Sequence, residues 1–136
     1  MLKISKMADY ATWVMIHCGE NSDHSLSANE IAQKTQLNMP TVSKLLKKLL
    51  NAGLLTSQRG AQGGYQLALL PSAISIAAII SAIDGPIAIT ECAHGMKQCE
   101  WENHCMARTG WQLINQTVER ALNKVFLTDM MQPLPL

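Results

Sequence analysis

Apolar residues recur at three- and four-residue intervals over most of the chain, which predicts helices; only one short region alternates as strands do. Residues 7–19 (MADYATWVMIHCG) are apolar on most faces and predict a buried first helix, followed by a polar loop over 19–25. Ser27 and Glu30 have the spacing of a capping box, with Ser27 accepting from a backbone N–H and Glu30 reaching back. The helix they open turns Ile31, Ala32 and Thr35 inward and stops at 36–38. Asn38 predicts the next N-cap, with Pro40 in a first turn where its missing N–H does no harm. Val42, Leu45, Leu46, Leu49 and Leu50 share one face of that helix. Thr41, Ser43, Lys44, Lys47, Lys48 and Asn51 share the other, and Gly53 supplies the stop. Two short helices around a tight turn, the second polar and basic outside, make a helix-turn-helix.

Residues 54–57 and 65–69 predict two short strands joined by QRGAQGG. Arg59 with Gly60, Gly63 and Gly64 fits a hairpin tip whose backbone must come close to another molecule. After Pro71, residues 75–83 predict a short apolar helix ended by Gly85 and Pro86, and 87–109 an irregular loop rich in Cys, His, Gly and Glu. A last helix is predicted over 109–128, with Trp111, Ile114, Val118, Ala121, Leu122 and Val125 along one stripe. Such a stripe needs a cover, and a second copy of the same helix would give a two-fold homodimer. The expected class is therefore mainly α with a small β-hairpin. It comprises a winged helix-turn-helix domain over 1–85, a cysteine-rich loop over 86–108, a dimerisation helix over 109–130 and a frayed tail over 131–136.

Composition sharpens this picture. With 136 residues, 48% hydrophobic and 15% charged, the chain suits one globular domain with an attached arm. The net charge of +1 conceals an asymmetry. No acidic residue lies between Glu30 and Asp84, while that interval holds Lys34, Lys44, Lys47, Lys48 and Arg59, a place for phosphates. No signal peptide is visible, and the longest apolar stretch, 73–83, is too short for a bilayer, so the expectation is cytoplasmic with no membrane partner. In that reducing setting four Cys are thiols or metal ligands rather than disulfides. No Ser/His/Asp set, phosphate loop or paired-carboxylate pattern points to an enzyme.

Double-stranded DNA is the expected partner. Thr41, Ser43 and Lys44 are placed to read base edges, and Lys47 and Lys48 to touch phosphates. The wet face of a plain three-helix bundle would look the same, but the glycine hairpin with Arg59 follows directly, and an arginine suits a narrow minor groove.

Cys92, Cys99 and Cys105 stand as C-x6-C-x5-C in ECAHGMKQCEWENHC, a segment poor in packing residues. Thiolates are soft ligands for zinc, copper(I) or iron–sulfur clusters. The closely paired C-x2-C common in zinc sites is absent, and wider spacing suits a cluster, with zinc or incidental redox-sensitive thiols as alternatives. Cys18, on the buried first helix, reads as core.

The combination resembles the Rrf-type family of bacterial winged-helix regulators, which includes iron–sulfur assembly regulators and nitric-oxide-sensing repressors. LKISKMADYA, the helix-turn-helix, RGAQGGYQL, ISAIDG and the three cysteines carry the resemblance over nearly the whole chain. The start is most similar to the branch that regulates the SUF operon. The resemblance implies a homodimer on a palindromic operator, with an iron–sulfur cluster (2Fe–2S or 4Fe–4S) that purified protein can lose. Cys92, Cys99 and Cys105 match its three thiolate positions. Where the assembly branch has a His three residues beyond the last Cys, Arg108 stands here. The nitric-oxide branch has an Asp before an aromatic in the first helix; Asp9 and Tyr10 match it, which would bring the fourth ligand from the opposite subunit. His104 and His94 are the reserves. Ser43 replaces an acidic residue found in relatives, so no operator sequence transfers. The expected function is a cluster-sensing DNA-binding transcriptional regulator, a repressor of SUF assembly genes. A nitric-oxide- or redox-sensing repressor, a zinc-stabilised DNA-binding protein and an electron-transfer protein are the alternatives.

Overall fold

The computed structural model describes residues 2–92 and 104–132. Ser5 opens α1 (Lys6–Glu20): its hydroxyl accepts from the Ala8 N–H at 3.0 Å and donates to the Asp84 carboxylate at 2.7 Å. Ser27 caps α2 (Ala28–Thr35) by accepting from the Glu30 N–H at 3.1 Å. Half of the expected capping box forms in this way; the Glu30 carboxylate accepts instead from the Ser27 hydroxyl at 3.2 Å. Gln36, in the left-handed region at φ 60°, turns the chain into α3 (Met39–Asn51), where Asn38 accepts from the Thr41 N–H at 2.9 Å. At the far end the Gly53 N–H bonds the Leu50 carbonyl and the Leu54 N–H the Leu49 carbonyl, both at 3.0 Å. This paired closure requires the left-handed φ of 75° that Gly53 supplies.

Because Leu54 closes the helix, the hairpin starts one residue later than expected. β1 (Leu55–Gln58) and β2 (Gly64–Leu67) are antiparallel, with Leu55 opposite Leu67 and Gln58 opposite Gly64. A backbone exchange between Leu26 and Tyr65, at 3.0 and 2.7 Å, fastens the hairpin to the loop before α2. Gly64 has φ 151°, and a Cβ there would collide with the Leu26 carbonyl, so this joint requires glycine.

A single 3-10 turn (Pro71–Ala73) leads to α4 (Ile76–Asp84), capped by Ser75 and ended by Gly85. The continuous last helix expected over 109–128 is divided into α5 (Arg108–Asn123) and α6 (Leu127–Met130). Between them the chain pairs with the start of α4: the Ile76 N–H donates to the Val125 carbonyl and the Leu127 N–H to the Ile74 carbonyl, each at 2.8 Å. The break lets Leu127 enter the core, where it is fully buried. Met131, expected in the frayed tail, packs against the same core and reaches Gly19; residues 133–136 lie outside the described residues.

The core is a single cluster built around α1, with Val14 and Met15 meeting Ile31, Leu45, Leu46, Leu49, Ile79 and Leu127 at zero or near-zero exposure. No helix among the described residues is long and apolar enough to cross a membrane. Since Leu127 is held by both packing and backbone pairing, Leu127→Ala should destabilise the protein by about 2–5 kcal/mol, measured by urea unfolding. An exposed-site value below about 0.5 kcal/mol would mean that α6 is not docked.

Candidate nucleic-acid interface and cysteine loop

Burial of Val42, Leu45, Leu46 and Leu49 against α1, α2 and α4 fixes which side of α3 faces out. Ser43, Lys44 and Lys47 are exposed there and Thr41 is half-buried in the first turn. The ion pairs among the described residues are His17–Glu20 and His24–Asp23, so Lys44, Lys47 and Arg59 make no contact ion pair there. Lys48, expected among the phosphate contacts, is placed differently. Its ammonium donates to the Ile83 carbonyl at 2.8 Å, satisfying one of the carbonyls that the last turn of α4 leaves without a helical partner.

In the hairpin, Arg59 and Gly60 are exposed. Gly60 lies at φ 116° in open space, a turn conformation that glycine adopts freely. Gly63 and Gly64 are half-buried, and side chains on them would collide with the Gln58 and Leu26 carbonyls respectively. Their smallness is required by the hairpin's own closure. Beside the hairpin is a polar groove of about 510 Å³ lined by Asp23, His24, Ser25, Glu30 and Gln62, with Gln66 donating to the Ser22 carbonyl at 3.2 Å. The His24 hydrogen bond at 2.9 Å, aided by a backbone bond, holds the Asp23 carboxyl below the usual range. The acid-free interval of the sequence is thus not acid-free in space, because the loop before α2 folds back beside the wing.

Two of the three loop cysteines are described. Cys92 is buried, with the Thr90 hydroxyl 3.3 Å from its sulfur, and Cys105 is half-buried just before α5; both are free thiols. His104 beside it is exposed. Cys99 and His94 lie outside the described residues. Asp9 is exposed in the first turn of α1. Among the described residues no three His, Cys, Asp or Glu side chains gather to hold a metal, so Asp9, Cys92 and Cys105 of one chain form no such group. Two free thiols with a third on the segment between them are the soft donor set that an iron–sulfur cluster accepts. Cys18 is excluded from that set: burial pushes its thiol up to about 12.

Sequence periodicity passed over Asn115, because an Asn on a helix signals nothing. It is 1% exposed, accepting from the Ile89 N–H at 2.8 Å and donating to the Ile87 carbonyl at 3.1 Å. That two-point clamp holds the approach to the cysteine loop against α5. Val118 and Leu122 face inward with it, whereas Trp111, Leu113 and Ile114 are 40%, 60% and 43% exposed.

Residues 4–133 match the family Rrf2, described as "Iron-dependent Transcriptional regulator". The chain belongs to the Rrf2 family. Among curated relatives, the HTH-type transcriptional regulator IscR of Aliivibrio salmonicida (strain LFI1238) is 28% identical over 131 residues, 96% of this chain and 77% of that protein. Among solved structures, the global cysteine regulator CymR of B. subtilis is 33% identical, with TM-score 0.75 over 96% of this chain and 97% of that one. IscR of T. potens is 28% identical, with TM-score 0.74 over 96% and 86%. This Rrf2 protein is therefore a DNA-binding transcriptional regulator of winged-helix architecture, not an enzyme.

If Lys47 neutralises a phosphate, Lys47→Met should reduce the slope of log affinity against log salt by about 0.9, read by fluorescence anisotropy with duplex DNA. An unchanged slope removes Lys47 from the interface. The Cys18 thiol makes a separate prediction. Its folded value lies above the ordinary 9.0, so the unfolded thiol ionises first and stability should fall as pH rises from 9.0 towards about 12. Urea unfolding across that window should show a shallower fall in Cys18→Ala.

Proposed function

We propose that this Rrf2 regulator binds a palindromic operator as a homodimer and that an iron–sulfur cluster on the cysteine loop governs the binding. Its targets are SUF cluster-assembly genes, repressed while clusters are plentiful. The observation that carries this reading is the pair of free thiols, buried Cys92 and half-buried Cys105, which flank Cys99 in the sequence. A chain that also carries an exposed basic helix joins a soft-donor segment to a phosphate-facing surface.

Cys92, Cys99 and Cys105 would hold the cluster through thiolates, and Asp9 from the opposite subunit through its carboxylate. Bound there, a cluster supplies a cross-link that oxidation or shortage of iron can break, and a carboxylate ligand makes that link easier to lose than a fourth thiolate would. The exposed Trp111, Leu113 and Ile114 offer an apolar face for the second copy. In such a dimer Thr41, Ser43 and Lys44 read base edges, Lys47 touches phosphate and Arg59 enters the minor groove. Half-sites lie about 34 Å apart, so a small change in the spacing of the two α3 helices costs affinity. The likeness to CymR, the global cysteine regulator of B. subtilis, supports a second reading in which this chain too is a cysteine regulator and its three cysteines hold no cluster.

Purification without oxygen, followed by reconstitution with iron and sulfide, separates the two. The expected protein is brown, with charge-transfer absorption that bleaches in air and is lost in Cys99→Ala. A colourless sample overturns the cluster and favours the second reading. Asp9→Ala should shorten the cluster's lifetime in air, and an unchanged lifetime passes the fourth-ligand role to His104 or His94.

A further inference from the structure

We propose that Lys48 is a positioning residue that couples the cysteine loop to α3 through the segment 83–89. Three elements grip this segment by side chains. From α3, the Lys48 ammonium donates to the Ile83 carbonyl at 2.8 Å. From the start of α1, the Ser5 hydroxyl donates to the Asp84 carboxylate at 2.7 Å while capping its own helix. From α5, Asn115 takes the Ile89 N–H and gives to the Ile87 carbonyl. Between the first and last grips lie Gly85, at φ 83°, and Pro86, so the connection is short and conformationally restricted. Cys92 follows Ile89 by three residues.

The placement gives Lys48 leverage. It sits in the last turn of α3, and Thr41 lies about 10 Å away along the axis at 1.5 Å per residue. A shift of the Ile83 carbonyl therefore pulls one end of the helix whose other end carries the base-reading side chains. The α4 carbonyl has no partner within its helix, so loss of the ammonium leaves it to water and frees α3 from the segment. Lys44 and Lys47, on the exposed side, have no such contact among the described residues.

This coupling rests on the loop being the regulator's input, but not on what the loop binds, and its test needs no cluster. A connection through the 83–89 segment acts in both directions, so DNA that holds α3 in place should also hold the buried Cys92 in place and restrict its opening to reagent. The full chain, reduced and treated with chelator, is alkylated with iodoacetamide with and without duplex DNA selected for binding from a random pool. The rate at Cys92 is followed by peptide mass spectrometry. DNA should slow Cys92 alkylation by ~5-fold or more in the parent and in Lys48→Arg, which keeps a donor of similar reach. In Lys48→Met the DNA-dependent ratio should fall to about one, while the salt slope of binding stays at the parent value. A merely stabilising lysine would raise the rate equally with and without DNA and preserve the ratio, which overturns the proposal. So does a salt slope reduced by about 0.9, which makes Lys48 a phosphate contact, or a parent whose Cys92 ignores DNA. A colourless but DNA-responsive protein would fail the cluster reading and keep this one.

Discussion

The last turn of α4 ends in carbonyls that the helix cannot satisfy, a few residues before Cys92, the first of the three closely spaced cysteines. One of them is met by the Lys48 ammonium from α3, and the neighbouring Asp84 carboxylate by the Ser5 hydroxyl that caps α1. Through this corner α3, the start of α1 and the segment that leads to Cys92 share one set of hydrogen bonds. Water could satisfy the same groups, but it would not set their relative positions.

The remaining parts hang on this corner in a definite order. Asn115 continues the grip to Ile87 and Ile89, so α5 is tied to the chain that leads into the cysteines. At the opposite side, the Leu26–Tyr65 exchange holds the hairpin against the loop before α2, and α6 closes the base of the core with Leu127. On the winged domain's outward surface Lys44, Lys47 and Arg59 make no contact ion pair among the described residues.

Local chemistry was the legible part. Ser27 and Asn38 each precede a helix and each caps it, because a short oxygen-bearing side chain satisfies orphan N–H groups wherever the neighbouring sequence is helical. The apolar face of α3 was equally readable, since helical spacing puts Val42, Leu45, Leu46 and Leu49 on one side.

Contacts between distant segments were not legible, and their reasons are physical. A continuous helix over 109–128 satisfied the pattern, yet pairing of the 124–126 turn with the start of α4 buries Leu127 and breaks it. Asn115 looked like an ordinary polar position until two backbone groups of another segment came within its reach. Lys48 carried the same charge as Lys47 in the sequence, but the two point to different surroundings, one to a helix end and one to solvent. Gly63 and Gly64 likewise answer to carbonyls within the protein. Residue type and spacing settle what each side chain is able to do, because propensity, capping and ligand softness act over a few residues. Which partner each one meets depends on how the helices pack, since only packing brings Lys48 to Ile83, Asn115 to Ile89 and Leu127 into the core.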